Sequence, residues 1–231
     1  MCKAGTMRIG ILGGTGPAGI ALAARLASIG YDVVVGSRSK YRAMEARDRM
    51  VDKWPDLDAL LHYGDNAGAA ACDLVVIATP WDGAATTAQE HEDALVGKIV
   101  ISMANALVRV GHEFQPLVPP RGSVAAHVQA AVPRCKVVAA FHHLPATELG
   151  HIGEPIGSDV LICADDADAV RQVSAIVEKI PGCRPLDAGE LSNATAIEAF
   201  TAVLLQLNVR YKTRVAPKLT GIQGDPQELK R

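Results

Sequence analysis

Short continuous apolar runs alternate along the chain with longer stretches whose apolar residues recur at helical spacing. Residues 8–13 form a compact run ending in glycines. Residues 17–29 then carry Ile20, Leu22, Ala23, Leu26 and Ala27 at helical intervals, and Gly30 stops the pattern. Residues 32–35 read as a second buried strand. A charged helical segment follows at 40–53, and Trp54-Pro55 breaks it. Residues 73–79, 98–102 and 136–141 supply three more Val/Ile-rich strands. Strands that are apolar on both faces and alternate with helices predict a parallel sheet covered on both sides. The first 145 residues are therefore read as a doubly wound α/β domain.

The remainder is patterned differently. Residues 159–164 and 182–187 read as strands. Between them, Ala169, Val170, Val173, Ile176, Val177 and Ile180 mark an amphipathic helix over 166–180. The longest helical pattern covers 192–211, with Ser192 or Asn193 as its N-cap. Its stripe of Ile197, Phe200, Val203, Leu204 and Leu207 must pack on the sheet or on a second subunit, and a homodimer is the expected assembly. After Thr213 the chain turns basic and rich in Pro and Gly, ending in Gln223-Gly224-Asp225-Pro226, a tail expected to fray. Residues 146–231 are thus expected to form a small C-terminal α+β lobe with a long helix and a flexible tail.

The sharpest local signal lies between the first strand and the first helix. There Gly14-x-Gly16-x-x-Gly19 fits the dinucleotide fingerprint of a Rossmann-type domain. Such a turn needs a residue without Cβ clashes, a backbone that a pyrophosphate can approach, and a helix lying close to the strand. The helix N-terminus then offers free N–H groups and a positive dipole end to the anion. Pro17 suits the first turn because the N–H it lacks would be unpaired there. Gly14, Thr15, Gly16, Pro17 and Ala18 are the candidate phosphate-binding residues.

The end of the second strand selects the dinucleotide. A site for NAD places Asp or Glu there to accept from the ribose 2′-hydroxyl. This chain has Gly36-Ser37-Arg38-Ser39-Lys40, with Arg42 close behind and no acid before Glu45. Ser37, Arg38 and Arg42 are instead suited to a 2′-phosphate, and positive charge at a helix start is explained by a bound anion. The cofactor read from these residues is NADP(H).

Ligands of open α/β sheets lie outside the carboxyl ends of the strands. Thr79-Pro80-Trp81 closes one strand, Ser102-Met103-Ala104-Asn105 the next, and Phe141-His142-His143-Leu144-Pro145-Ala146 the third. Pro80 and Trp81 are candidates to wall the nicotinamide side. Adjacent histidines on extended chain point to opposite sides, so one of His142 and His143 faces the cleft while the other supports the loop. With His151 they match no zinc pattern, and no metal is expected. No G-x-S-x-G elbow, Cys with an evident base or Ser-Tyr-Lys arrangement is present. A hydride transfer between two cofactors accounts for so sparse a set of acids and bases, because there the protein supplies proximity and orientation.

Composition narrows the setting. Of 231 residues, 49% are hydrophobic and 21% charged, enough apolar content to close a core. Aromatics at 4% and a net charge of −2 argue against a nucleic-acid partner. No apolar stretch approaches the roughly 20 residues of a membrane span. Five cysteines with no CxxC pair fit a reducing compartment, with thiols that are mostly buried filler, so a cytoplasmic protein is expected. Residues 1–6 do not resemble a secretory signal, and Met7 is a candidate start.

In the order GILGGTGPAG, VVVGSRSK, VVIATPWDGA, HHLPA and RPLDAGELSN, the chain resembles the NADPH-dependent oxidoreductases of the deazaflavin coenzyme F420 over residues 8–210. The resemblance implies an N-terminal Rossmann domain, a small C-terminal lobe and a deazaflavin cleft between them. It implies that Thr15, Gly16, Pro17 and Ala18 cradle the pyrophosphate and that Ser37, Arg38 and Arg42 hold the 2′-phosphate. By the same resemblance Thr79, Asn105 and Ala146 lie along the nicotinamide, His142 lies near the deazaflavin, and Gln206 or Asn208 supplies an amide. Two alternatives stay open: an NADPH-dependent reductase of another acceptor (ferric chelate, flavin, small imine or keto acid), and a non-enzymatic NADP sensor.

Overall fold

The computed structural model describes residues 7–222. In chain order the first half runs β1 (Arg8–Leu12), α1 (Pro17–Ser28), β2 (Asp32–Ser37), α2 (Lys40–Lys53), β3 (Leu61–Asp65), α3 (Asn66–Ala70), β4 (Leu74–Ile77), α4 (Trp81–Gln89), α5 (Glu92–Leu95) and β5 (Ile99–Ser102). The second half runs β6 (Leu107–Val110), β7 (Glu113–Pro116), α6 (Val124–Ala131), β8 (Lys136–Ala139), α7 (Ala146–Leu149), β9 (Ser158–Ile162), α8 (Ala167–Glu178), β10 (Cys183–Asp187) and α9 (Ala194–Tyr211).

Six strands form one parallel sheet in the order β3-β2-β1-β4-β5-β8. The order reverses beside β1, which pairs with β2 on one side (Ile9 opposite Val33) and β4 on the other (Ile9 opposite Leu74). Successive residues of each strand feed opposite faces. Ile9, Ile11, Val33, Val35, Leu74, Val76, Ile99 and Ile101 pack under α1 and α8. Leu12, Val34, Val75, Ile77, Val100 and Val137 pack under α4, α6 and the start of α9. Each of these two cores draws on both halves of the chain, and β9 is joined to β8 by an antiparallel bridge between Ala139 and Cys163. Cys72, Cys135 and Cys163 are buried free thiols, and burial pushes the Cys163 thiol up to about 12. Among the described residues no helix is long and apolar enough to cross a membrane.

Two elements lie outside the expected pattern. Strand β3 was not legible because it is an edge strand with one buried apolar residue, Leu61, among exposed or half-exposed ones. The antiparallel hairpin β6–β7 is mostly exposed as well, and it leans on α9. That helix buries Ile197 and Leu204 but leaves Phe200 at 41% and Val203 at 50% exposure. The segment after it is held as far as Leu219, as described below. Residues 223–231, with the Gln223–Pro226 motif, and residues 1–6, with Cys2, lie outside the described residues.

One buried cation ties the halves together. Arg25 of α1 is 0% exposed, and its guanidinium donates to the carbonyl oxygens of Glu148, Leu149, His151, Ile152 and Glu154 at 2.7–3.1 Å. No carboxylate pairs with it among the described residues; five carbonyl dipoles solvate the charge. Replacing Arg25 with Met strands those acceptors and is expected to cost about 3–5 kcal/mol in urea unfolding. Arg25→Lys is expected to recover only part of that, since an ammonium has three donors and no planar fork.

Glu198 joins α9 to α6. Its buried carboxylate accepts from the N–H groups of Val124 (2.7 Å) and Ala125 (3.1 Å), while Ser123 caps Ala126. Desolvation pushes its pKa up to about 7, against the pull of those two hydrogen bonds. A carboxyl whose folded pKa is raised contributes stability below its unfolded pKa and loses it as pH rises through the folded value. The stability of the wild type relative to Glu198→Gln is therefore expected to fall by roughly 2–3 kcal/mol between pH 4.5 and 8, measured by denaturant titration at each pH.

Candidate functional site

The site grows from the turn after β1. Gly13 takes the left-handed conformation (φ +68°), where a Cβ would lie 2.5 Å from Thr79 Cγ2. Its N–H donates to the Asn66 side chain (3.2 Å), and the N–H of Gly14 donates to Gly36 O at the end of β2 (2.8 Å). Gly19 lies against this turn so closely that a Cβ would sit 2.8 Å from Gly14 Cα. Helix α1 starts at Pro17 with Gly16 as its N-cap and no side-chain cap, and the space above Gly16 is open. A helix N-terminus with open space in front of it accepts an anion.

Ser37, Arg38 and Arg42 gather beside this turn. Ser37 is buried, and its Oγ accepts from Ser39 N–H (3.3 Å); Ser39 caps α2 by accepting from Arg42 N–H (3.4 Å). The guanidinium groups of Arg38 and Arg42 are exposed, and neither has an ion-pair partner among the described residues, whereas Arg47, Arg134, Arg171 and Arg184 are each paired. A cleft of about 600 Å³ opens between this basic end and α4. Thr15, Gly16, Ser37, Arg38, Arg42, Thr79 and Pro80 all line it. Trp81 does not: at the first position of α4 it is half-buried against the core on that face of the sheet. In its place the cleft is walled by Asp82, Gly83, Thr86, Thr87 and Glu90. Their four-residue spacing on a helix after a strand end was the signal that could have revealed them.

A second cavity of about 220 Å³ lies beyond the switch point, lined by Ala18, Asn105, His142, Pro145, Ala146 and residues of α9. Here Phe141, a non-glycine residue at φ +64°, swings the chain so that both histidines are buried. They meet edge-on, with ring centroids 4.9 Å apart. His143 Nε2 accepts from the N–H of Leu161 (3.1 Å), so β9 holds that ring; a nitrogen that accepts there carries no proton for Asp159 O, which lies equally near. Both nitrogens of His142 are buried without a partner, while its carbonyl accepts from Asn105 Nδ2 (2.6 Å). Desolvation, with His143 adding to it, holds the His142 imidazole well below its usual range; desolvation lowers His143 to about 4. At neutral pH His142 is uncharged and offers one donor and one acceptor.

Thr79 Oγ1, Ser102 Oγ and Asn105 Oδ1 are likewise buried and unpartnered. These orphaned groups stand at the ends of β4, β5 and β8, and Thr79 lines the first cavity while Asn105 and His142 line the second. Unpaired buried polar atoms cost about 1–3 kcal/mol each, and such a concentration marks a place where a ligand completes the hydrogen bonds. Of the two amides on α9, Asn208 lines the second cavity and accepts from Val215 N–H, while Gln206 accepts from Phe114 N–H of the hairpin.

Residues 8–106 match the model of the family described as NADP oxidoreductase, coenzyme F420-dependent. The F420-dependent NADP reductase of Methanocaldococcus jannaschii is 35% identical over 213 residues, 90% of this chain and 95% of that protein. The chain belongs to the F420-dependent NADP reductase family. A second member, from Methanothermobacter thermautotrophicus, is 30% identical over 94% of this chain and 95% of its own length. In three dimensions the chain is similar to a candidate family member from Arthrobacter sp. FB24, with a TM-score of 0.79, 25% identity, and coverage of 93% of this chain and 99% of that one. Within this family fold, the unpaired Arg38 is the residue on which cofactor choice is expected to turn. Arg38→Asp should raise the KM for NADPH about 100-fold and leave that for NADH within about threefold, measured in parallel titrations. An equal loss for both would remove the 2′-phosphate assignment.

Proposed function

We propose that the protein is an oxidoreductase that moves hydride between NADP(H) and the deazaflavin coenzyme F420. The observation that carries this is the set of unpartnered buried polar groups, Thr79 on a cleft with a basic end and Asn105 and His142 on a second cavity. When both are bound, the reaction is NADPH + H⁺ + F420 → NADP⁺ + F420H2, or its reverse, with the hydride passing between nicotinamide C4 and deazaflavin C5.

The chain's own groups bind and orient. Gly14, Thr15, Gly16, Pro17 and Ala18 receive the pyrophosphate on the α1 N-terminus, and Ser37, Arg38 and Arg42 take the 2′-phosphate. Thr79, Pro80, Asn105 and Ala146 border the nicotinamide. His142, neutral and desolvated, offers its donor and acceptor to the ring facing it. The hydride itself passes without a protein acid or base, and the proton of the equation is exchanged between the deazaflavin ring nitrogen and solvent, so the histidines of the site can stay uncharged. The buried free thiols Cys72, Cys135 and Cys163 suit a reducing compartment, which supports a cytoplasmic enzyme. The exposed Phe200 and Val203 on α9 support a homodimer formed through that face, which light scattering would read directly.

The direct test mixes purified protein with F420 and NADPH and follows the visible deazaflavin band. Bleaching at least tenfold faster with NADPH than with NADH is expected. NADPH binding without bleaching would move the assignment to another acceptor or to a sensor.

A further inference from the structure

We infer that Asp159 and Arg184 are positioning residues that clamp the segment after α9 into place as a wall of the second cavity. The inference rests on the functional reading above for the identity of what that cavity holds.

Asp159 is an acid in the middle of an apolar strand, and it is 1% exposed. Its carboxylate takes a two-pronged bond from Arg184, Nε to Oδ1 at 2.9 Å and Nη2 to Oδ2 at 2.7 Å. The pair holds more than itself. Leu219 N–H donates to Asp159 Oδ2 (2.6 Å), and Arg184 Nη2 donates to Leu219 O (2.6 Å), so both polar groups of Leu219 are taken by the ion pair. Two residues earlier, Pro217 O accepts from Asp159 N–H (2.8 Å) and Ser158 Oγ (3.1 Å). The near end of the same segment is fixed to α9: Lys212 turns left-handed (φ +52°), and Asn208 Oδ1 accepts from Val215 N–H (2.6 Å). A strap of chain is thus pinned at Asn208 and at Asp159–Arg184, and Val215 between the pins lines the cavity with His142 and Asn105.

The clamp also reaches the cavity from the other side. Leu161, two residues along the same strand edge from Asp159, donates its N–H to His143 Nε2 (3.1 Å), and His143 stacks edge-on against His142. The outer edge of β9 is therefore covered in turn by Pro217, the His143 ring and Ala139 of β8. One strand edge sets two walls of the cavity at once, without Asp159 or Arg184 lining it. Neither residue lines the NADP cleft. Loosening the clamp should weaken the second substrate selectively.

The experiment compares the full-length wild type with Arg184→Met, and with the isosteric Asp159→Asn in case the first variant folds poorly. Steady-state titrations give the KM of each substrate, and hydrogen exchange reads the amides of Val215 and Leu219. The expected result is lost protection at both amides, a KM for F420 about tenfold higher, and a KM for NADPH within twofold of wild type. Arg184→Lys, which keeps the charge but not the fork, is expected to fall between. Lost protection with an unchanged F420 KM would overturn the proposal, as would both KM values rising together, the mark of general damage. A wild type inactive with F420 would remove the functional reading itself, and with it the role given to the strap. A working wild type beside an unaffected variant would remove the strap alone.

Discussion

A charged group without a counter-charge, sealed from water, holds this molecule in register. The Arg25 guanidinium has no carboxylate to neutralise it, so its burial is tolerable only because five carbonyl oxygens converge on it. Those oxygens belong to residues 148–154, which run from the end of α7 into the loop after it, close behind the Pro145-Ala146 wall of the second cavity. The arginine stands on α1, whose uncapped start opens on the first cavity at Gly16. Helix and loop therefore cannot drift apart without exposing a naked charge, and the two cavities keep their spacing.

Around that constraint the sheet does the rest. Alternate side chains of the central strands are sealed into cores on both faces, leaving only the strand ends to carry chemistry. What stands at those ends is polar and unsatisfied, the reverse of what stability alone would select. A folded protein that tolerates several such groups in one row carries the cost of a binding surface built in advance. The low-lying pKa values of His142 and His143 belong to the same pattern, since the desolvation that leaves the His142 ring without partners also keeps both rings neutral.

Much of this was legible in the chain itself, and for identifiable reasons. Helices α1 and α2 and the central strands announce themselves because their apolar periodicity is a direct image of burial. That Ser37, Arg38 and Arg42 stand together at the end of β2 was readable because they follow one another closely at a strand-to-helix turn, and a turn that short keeps them on one side of the sheet. Strand β3 and the β6–β7 hairpin were not, because their backbone pairing is not matched by a buried side-chain face. Trp81 illustrates another limit: a large aromatic beside a strand end can turn toward the core or toward the cleft, and one residue of helical phase decides between them. Asp159 shows a third. An isolated acid in an apolar strand gives no hint of its partner 25 positions onward, because that pairing exists only once β9 and β10 lie side by side. The RPLDAG run, distinctive as a string, draws its meaning from this contact.

The first turn of α1 contributes Gly16 to one cavity and Ala18 to the other. Two positions at the start of a single helix thus line two different cavities, and Arg25 ties that helix to residues 148–154 beside the second. Any displacement of the helix end that improves the fit of one occupant alters the fit of the other. The two sites are in this sense thermodynamically joined. Whatever factor the first ligand exerts on the affinity of the second, the second must exert on the first.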